Sequence, residues 1–205
     1  MAKAERIPLF PLGLVLFPQE VLPLHIFEDR YKKMISYCLA EDAPFGLVGV
    51  DGEQMAQVGC TARVRRVIRE YEDQTLDIET VGEMRFRVGS LHDDLPYTTA
   101  EVTEIRDRDD PIALPQRERL VAQHMKLLEL LGETIRPNAY TEEHLLSFRI
   151  AASAGLDLSQ RQKILEIDSE AARISHLVNY FQDFIPRVQS LKQRRERIQS
   201  NGHFN

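Results

Sequence analysis

The chain has 205 residues, 43% of them hydrophobic and 28% charged, which is typical of a globular protein with one large or two small domains. Its formal net charge of −6 argues against non-specific nucleic-acid binding, because phosphates attract a basic surface. No apolar stretch approaches the ~20 residues that cross a bilayer, and the N-terminus lacks the apolar core of a signal peptide.

The first segment, residues 7–27, is apolar but interrupted by Pro8, Pro11, Pro18 and Pro23. A helix does not tolerate prolines at that density. The segment therefore predicts three short strands: Ile7–Phe10, Val15–Phe17 and Leu22–Ile26. Because proline has no N–H donor, we expect these strands at sheet edges or bulges.

A helix is predicted next, over Asp29–Leu39, because the apolar spacing changes from two to between three and four. Its inward face comprises Tyr31, Met34, Ile35, Cys38 and Leu39. Cys38 and the later Cys60 are too few for a disulfide framework. We therefore expect two buried thiols in a cytoplasmic protein.

Strands dominate residues 45–105. Phe45–Val50 runs into Asp51-Gly52, which predicts a hairpin, and alternation then places five residues of one strand inward: Val58, Cys60, Ala62, Val64 and Ile68. Further strands are predicted at Thr75–Thr80, Arg85–Leu91 and Thr98–Ile105. Many short strands with turns between them indicate a small barrel or sandwich.

After a charged linker at residues 107–111, every segment is predicted to be helical. Gln116–Leu131 carries an apolar face that includes His124, and Thr141 is a suitable N-cap for a helix through Ala154. Ser159 and Gln162 have the spacing of a capping box, and Ser169 can cap the next helix.

The final helix has a proline and a basic end. Pro186 is expected to kink or interrupt it, and Val188, Leu191 and Ile198 continue an apolar stripe. The only basic cluster of the chain lies here: Arg187, Lys192, Arg194, Arg195 and Arg197. A solvated helix face explains this cluster, and so does a docking helix for an acidic partner.

No sequence motif indicates catalysis. The chain has no phosphate-binding P-loop, no dinucleotide fingerprint, no nucleophile elbow and no zinc-protease helix. Its six histidines are scattered without metal-ligand spacing. We therefore predict no catalytic residue, no cofactor and no metal. His124 is interpreted as a core histidine, whereas His25 is a candidate for a recognition surface.

Several segments together resemble the Lon protease N-terminal (LON substrate-binding) domain family, and in particular its stand-alone bacterial members. They are Pro8–Leu12, Val15–Pro18, Leu22–Tyr31, Phe45-Gly46, Val58–Cys60, Gly82 with Arg85–Val88, Leu146–Ala151 and Gln162–Glu166. Each segment is short, but their order along the chain is specific.

The resemblance implies an α+β fold. Residues 1–107 would form a PUA-like, partly open β-barrel with one embedded helix, residues 112–200 an α-helical bundle, and residues 201–205 a frayed tail. The strand and helix patterns agree with this division. The proteolytic Ser–Lys dyad of Lon proteases belongs to a separate domain, so the resemblance implies a non-enzymatic chain.

The function implied is recognition of unfolded or extended protein segments, in cooperation with a protease or another protein partner. Candidate peptide-binding residues are Leu12, Leu14, Leu24, His25, Phe27, Arg85 and Arg87, where Arg85 and Arg87 alternate away from a buried Phe86. Other residues of the family pattern are expected to be structural: Pro11, Pro18, Pro23, Glu28, Arg30, Tyr31, Gly82 and Phe86.

Three alternatives remain. The first is an adaptor or assembly module that docks a specific protein through its C-terminal helices. The second is RNA binding, by analogy with other PUA-like barrels, which the acidic first half of the chain opposes. The third is a hydrolase, for which no motif is present.

Overall fold

The structure is a computed structural model that describes residues 5–135, 140 and 145–201, with residues 195–201 described by their backbone. The chain divides into two compact units. The first contains residues 1–107 and 155–168, and the second contains residues 108–154 and 169–205. The first stretch of the first unit ends at residue 107, and residues 155–168 also lie in this unit rather than with the later helices. The division into a barrel subdomain and a helical subdomain stays a prediction.

The first unit is built on a mixed six-stranded sheet in the order β2-β5-β4-β3-β1-β6. Its elements are β1 (Glu5–Leu12), β2 (Val21–Ile26), α1 (Asp29–Ala40), β3 (Phe45–Asp51), β4 (Gln54–Glu70), β5 (Leu76–His92), β6 (Thr99–Glu104) and α4 (Leu158–Glu166). The second part of β5 also pairs with β6, so the sheet curls back on itself, although it is not a closed barrel. The predicted α+β fold with a partly open barrel is confirmed.

Phe86 lies at the centre of the sheet's core and is fully buried. It packs with Ile7, Leu9, Val48, Val88, Ala100 and Val102. Two glycines make room for its ring: a Cβ on Gly46 would lie 2.7 Å from the Phe86 ring, and one on Gly59 would lie 2.6 Å from it.

The prolines of β1 are not at a sheet edge, which corrects the expectation for this strand. Residues 5–8 pair with β6 and residues 9–12 pair with β3. The Leu9 N–H donates to the Thr98 carbonyl on the β6 side. Because N–H directions alternate along a strand, the backbone nitrogen of Pro11 also faces β6, but beyond the end of the β1–β6 pairing. The backbone nitrogen of Pro8 faces β3, before the β1–β3 pairing begins. Each proline therefore lies where no ladder donor is required.

The other two predicted strands of this segment differ from each other. β2 lies at the edge of the sheet and contains Pro23, as expected. Val15–Phe17 is not a strand: it is part of a buried connection between β1 and β2.

Helix α1 matches its predicted bounds to within one residue. Tyr31, Met34, Ile35 and Cys38 are buried, but Leu39 is exposed and was wrongly placed on the inner face. Glu28 occupies the N-cap position, although its side chain makes no capping hydrogen bond.

The β1–β2 connection is held by helix α4, which is why residues 155–168 belong to the first unit. Arg161 donates from Nη2 to the Val15 carbonyl at 2.8 Å and to Glu20 Oε1 at 2.7 Å. Its guanidinium also lies 4.4 Å from the centre of the Phe17 ring. The capping box of α4 is formed by Asp157 and Gln160, two residues before the predicted pair.

Gly82 of β5 gives a direct test of this packing. A Cβ at Gly82 would lie 2.1 Å from the Phe17 carbonyl oxygen, whereas a Cβ at Gly13 would meet nothing closer than 4.0 Å. We expect Gly82→Ala to lower the free energy of unfolding by about 2 kcal/mol through overpacking. Gly13→Ala is the matched control and is expected to change little. Equal stability of the two variants in urea denaturation would contradict the packing described.

The second unit contains the helices α2 (Leu114–Leu131), α3 (Leu146–Ala152) and α5 (Glu170–Asn201). The Ser169 hydroxyl accepts a hydrogen bond from the Ala172 N–H at 3.1 Å, so this predicted cap is present. Helix α5 continues through Pro186 without interruption. The predicted N-cap Thr141 and residues 202–205 of the predicted frayed tail lie outside the described residues.

Candidate peptide-binding surface

The exposed end of the sheet is formed by β2, the first part of β5 and the second part of β4. β2 pairs with β5 over residues 21–26 and is the terminal strand of the sheet. β3 pairs with β4 only as far as Ala62, so residues 63–70 of β4 extend past it. Two strand edges are therefore available at this end, and unpaired N–H and C=O groups of an edge can receive an extended peptide.

Phe27 and His25 mark the end of β2. Phe27 is 62% exposed, and its ring stacks on that of His25 with centroids 6.0 Å apart. Large apolar side chains at this exposure are common singly. Here, however, the residue directly follows the last residue of a strand at the end of the sheet.

Asp77 of β5 fixes the orientation of His25. The His25 Nδ1 lies 2.6 Å from Asp77 Oδ1, and the Tyr71 hydroxyl donates to Asp77 Oδ2 at 2.7 Å. The hydrogen bond from Tyr71 and, to a smaller extent, the one with His25 hold the pKa of Asp77 below its usual range. The same hydrogen bond raises the pKa of Tyr71. The cluster therefore keeps a carboxylate beside the exposed aromatic rings.

Sequence patterns did not identify three further apolar residues of this surface. Val21 is 45% exposed, Val67 is 41% exposed and Ile68 is 54% exposed. The expectation that Ile68 points inward is wrong, because register shifts on both sides of Val67 break the alternation along β4, so that Val67 rather than Ile68 pairs with the buried Ile78. Val67 and Leu24 both pair with Ile78, so their side chains share one face of the sheet. Val21 and His25 alternate with Leu24 along β2 and so lie on the other face. We call Val21, Leu24, His25, Phe27, Val67 and Ile68 the β2-edge surface, which includes side chains from both faces at this end of the sheet.

Leu12 and Leu14 lie elsewhere in the first unit, so the structure does not bring all the candidate residues together. Leu12 is the register partner of Gly49, and the Leu14 carbonyl is 3.5 Å from an ideal Cβ at Gly49. Gly49 borders a groove of about 380 Å³ between the β3–β4 hairpin and α4. Both leucines are half-buried.

Arg85 is not a surface residue, which corrects its assignment as a peptide-binding candidate. It is 4% exposed, and its Nη1 donates to the carbonyls of Leu165 at 2.9 Å and Ile167 at 2.8 Å. Its Nη2 pairs with Asp107. Arg85 and Phe86 point to opposite faces of β5, and Arg85 is buried as well because the end of α4 covers its face. Arg87 is exposed, as expected.

Other residues of the family pattern make contacts within the first unit. Arg30 pairs with Glu28 at 2.8 Å and lies 4.5 Å from the centre of the Tyr31 ring. Tyr31 is buried against Phe10, with ring centroids 4.1 Å apart. Pro18 is buried and Pro11 is half-buried.

His124 is a buried core histidine in the second unit. Its Nδ1 lies 2.9 Å from the Tyr140 hydroxyl and its Nε2 lies 2.9 Å from the Ser153 hydroxyl. A neutral ring has one donor and one acceptor, which the two hydroxyls satisfy. Burial lowers the pKa of His124 to about 4.

The lowered pKa of His124 predicts an acid-sensitive contribution to stability. The unfolded chain takes up the His124 proton near pH 6.5 and the folded chain only near pH 4, so this contribution is present above pH 6.5 and is lost as the pH falls towards 4. Between pH 7 and pH 4.5 the loss amounts to about 2 kcal/mol. Urea denaturation at both pH values measures the free energy of unfolding. We expect the free energy of His124→Gln to fall by about 2 kcal/mol less than that of the wild-type chain between pH 7 and pH 4.5. Identical pH dependence in the two proteins would contradict a neutral, buried His124.

Neither thiol has the environment of a reactive cysteine. Cys38 and Cys60 are both free and buried. Burial raises the pKa of Cys38 to about 11 and also raises that of Cys60. Reactive cysteines instead have a lowered pKa and access to solvent.

The described residues contain no group of three or more His, Cys, Asp or Glu side chains that could hold a metal ion. Within the same part of the chain, no helix has the length and apolar character needed to cross a membrane.

The comparisons with known proteins agree on one family. The model of the ATP-dependent protease La (LON) substrate-binding domain matches residues 6–183. Lon protease 2 of Herpetosiphon aurantiacus is 26% identical over 86% of this chain, which corresponds to 23% of that protein. Lon protease of Buchnera aphidicola is 25% identical over 94% of this chain and 27% of its own length. The chain thus spans about a quarter of these relatives.

Solved structures show the same fold. The crystal structure of a Lon N-terminal domain protein from Xanthomonas campestris has a TM-score of 0.71 at 24% identity, covering 86% of this chain and 98% of that one. The N-terminal domain of a Mycobacterium avium complex Lon protease has a TM-score of 0.65 at 17% identity, and the match covers 87% of this chain and 99% of that one.

Proposed function

Because this chain belongs to the ATP-dependent protease La (LON) substrate-binding domain family, we propose that it recognises extended, apolar segments of protein substrates and catalyses no reaction itself. The observation that carries this proposal is the position of β2 at the edge of the sheet formed by the described residues, followed directly by the exposed Phe27. A strand edge supplies hydrogen bonds that are independent of sequence, and an exposed ring beside it selects apolar side chains.

The β2-edge surface fits a substrate that has lost its fold. Val21, Phe27, Val67 and Ile68 are all exposed, and an unfolded segment exposes the apolar side chains that such a surface can bury. Pro23 stiffens β2 at its unpaired edge, which lowers the entropy lost on binding. We expect weak affinity, in the micromolar range, because a flexible peptide must be ordered on docking.

A binding assay with matched variants tests the surface. The probe is a fluorescein-labelled, extended peptide rich in Leu, Val and Phe, and the readout is fluorescence anisotropy. Phe27→Ser is expected to weaken binding about tenfold, because exposed aromatic anchors carry much of the energy of such contacts. The control is Leu91→Ser. Leu91 is 49% exposed but lies at the opposite end of β5, beside β6.

Equal affinities for the wild-type chain, Phe27→Ser and Leu91→Ser would overturn this location of the site. Far-UV circular dichroism of each variant shows that the sheet is intact. A loss of affinity in Leu91→Ser alone would move the site to the other end of the sheet.

The proposal extends to partners and compartment. Hydrolysis of a bound substrate would be done by a separate protease, since no protease motif is present in this sequence. A reducing cytoplasm suits two free, buried thiols. The net charge of −6 argues against nucleic acid as the ligand.

A further inference from the structure

Helix α5 carries a heptad repeat that begins inside the second unit and continues into solvent. Apolar residues follow each other at alternating steps of three and four: Ile174, Leu177, Phe181, Phe184, Val188 and Leu191. This spacing is that of the a and d positions of a coiled coil. The assignment places Ile174, Phe181 and Val188 at a, and Leu177, Phe184 and Leu191 at d.

The burial of this stripe falls along the helix. Ile174, Leu177 and Phe181 are fully buried in the core of the second unit, whereas Leu191 is 66% exposed. Helix α2 accompanies α5 and ends at Leu131, and Lys192 Nζ donates to the Leu130 carbonyl at 3.0 Å. The end of α2 thus reaches the level of Lys192, and Leu191 remains exposed there.

Positive charge flanks the exposed part of the stripe. Arg187 and Arg194 occupy successive g positions and Lys192 the e position, and residues 184–194 include no acidic residue. A concave surface of about 620 Å³ lies on this stretch of the helix, with Leu191 between Arg187 and Arg194 in its lining. The e and g positions set the choice of partner in a coiled coil.

These charges exclude a second copy of the same helix. In a parallel pair, g faces the following e position of the other helix, which would bring Arg187 against Lys192. In an antiparallel pair, g faces g, which would bring arginine against arginine. Like charges in either arrangement oppose self-association. A helix with Glu at e and g would face Arg187 and Arg194 with opposite charge, and also Lys192, which already lies near Glu129 of α2.

We propose that the second half of α5, around Val188 and Leu191, is a docking surface for an acidic amphipathic helix of another protein. Leu191 supplies the apolar contact, and Arg187, Lys192 and Arg194 select the charge of the partner. This surface is independent of the β2-edge surface, so either assignment can fail without the other.

The proposal is tested by the binding of two synthetic peptides, each about four heptads long, to the full chain. Both have Ile at a and Leu at d; one has Glu at e and g and the other has Lys. We expect the Glu peptide to bind at least about tenfold tighter than the Lys peptide, with affinity falling between about 0.05 M and about 0.5 M NaCl. Calorimetric titration gives both affinities.

Variants locate the binding. Leu191→Glu is expected to lower the affinity for the Glu peptide at least about tenfold. Leu114→Glu changes an equally exposed leucine at the start of α2 and is expected to leave this affinity unchanged. The double variant Arg187→Glu, Arg194→Glu is expected to prefer the Lys peptide. Circular dichroism checks that each variant remains helical.

Several outcomes would overturn the proposal. They are equal affinity for both peptides, no effect of Leu191→Glu, an unchanged preference after charge reversal, or self-association of the chain that Leu191→Glu abolishes. An RNA oligomer is titrated in parallel. Binding to RNA without binding to the Glu peptide would assign the cations to a nucleic acid instead.

Discussion

Replacing Arg173 with methionine is expected to lower the free energy of unfolding by about 4 kcal/mol, the largest effect of any single change considered for this chain. Arg173 is fully buried. Its Nη2 donates to Glu170 Oε2 at 2.7 Å, its Nε donates to the Ser147 hydroxyl at 2.8 Å, and its guanidinium lies 4.1 Å from the centre of the Phe148 ring. Methionine fills similar space but leaves the Glu170 carboxylate buried without this cation.

Two further variants separate the charge from the packing. Arg173→Met combined with Glu170→Gln removes both charges, and we expect it to recover part of the loss because no uncompensated charge remains. Lys126→Ala breaks an exposed pair with Glu129 in the same unit and is expected to cost less than about 0.5 kcal/mol. Urea denaturation followed at 222 nm measures all three. A loss below about 1 kcal/mol for Arg173→Met would contradict a central role for this network.

Arg85→Met is expected to destabilise the first unit by about 3 kcal/mol, because hydrogen bonds from a charged donor to buried acceptors are costly to lose. Arg85 bonds the carbonyls of Leu165 and Ile167 at the end of α4, and it pairs with Asp107. Removing its guanidinium leaves two carbonyls without this donor. The Asp107 carboxylate is partly exposed and can be hydrated, so we expect a smaller loss than at Arg173.

Arg87→Met is the matched control, since Arg87 lies two residues away on β5 and is exposed. We expect a change within about 0.5 kcal/mol for this variant. Thermal unfolding monitored by circular dichroism distinguishes the two arginines. Equal melting temperatures for Arg85→Met and Arg87→Met would show that the buried hydrogen bonds of Arg85 contribute little.

The fold was predictable from the sequence where local periodicity determines the outcome. The spacing of Tyr31, Met34, Ile35 and Cys38 located α1, and the Asp51-Gly52 dipeptide located the β3–β4 hairpin. Both features depend on residues close together in the chain. The order of the family segments gave the α+β fold, which the structure and the comparisons confirm.

Features that depend on distant partners were not predictable. Alternation along β4 placed Ile68 inward, but register shifts between β4 and β5 break that alternation and do not show in the sequence of β4. Arg85 was expected at the surface because the alternation of β5 does not show that the distant end of α4 covers this face of the strand. Helix α4 was recognised as a helix, whereas its position in the first unit depends on Arg161 contacting Val15 and Glu20.

The candidate site was predictable in part for the same reason. His25 and Phe27 were identified, and they do lie together at the exposed end of β2. Their partners Tyr71 and Asp77 come from a distant turn and strand, and no local pattern connects them with β2. Long-range strand pairing thus brings together residues that the sequence keeps far apart.

Backbone amide shifts in a nuclear magnetic resonance titration test the central claim most directly. The labelled full chain is titrated with the extended Leu-, Val- and Phe-rich peptide. Recognition at the β2-edge surface predicts that the largest shifts lie in residues 21–27 and 67–71, with slower amide hydrogen exchange along β2 as its edge becomes paired. Shifts confined to the groove beside α4 or to the second unit, or none at saturating peptide, would contradict it.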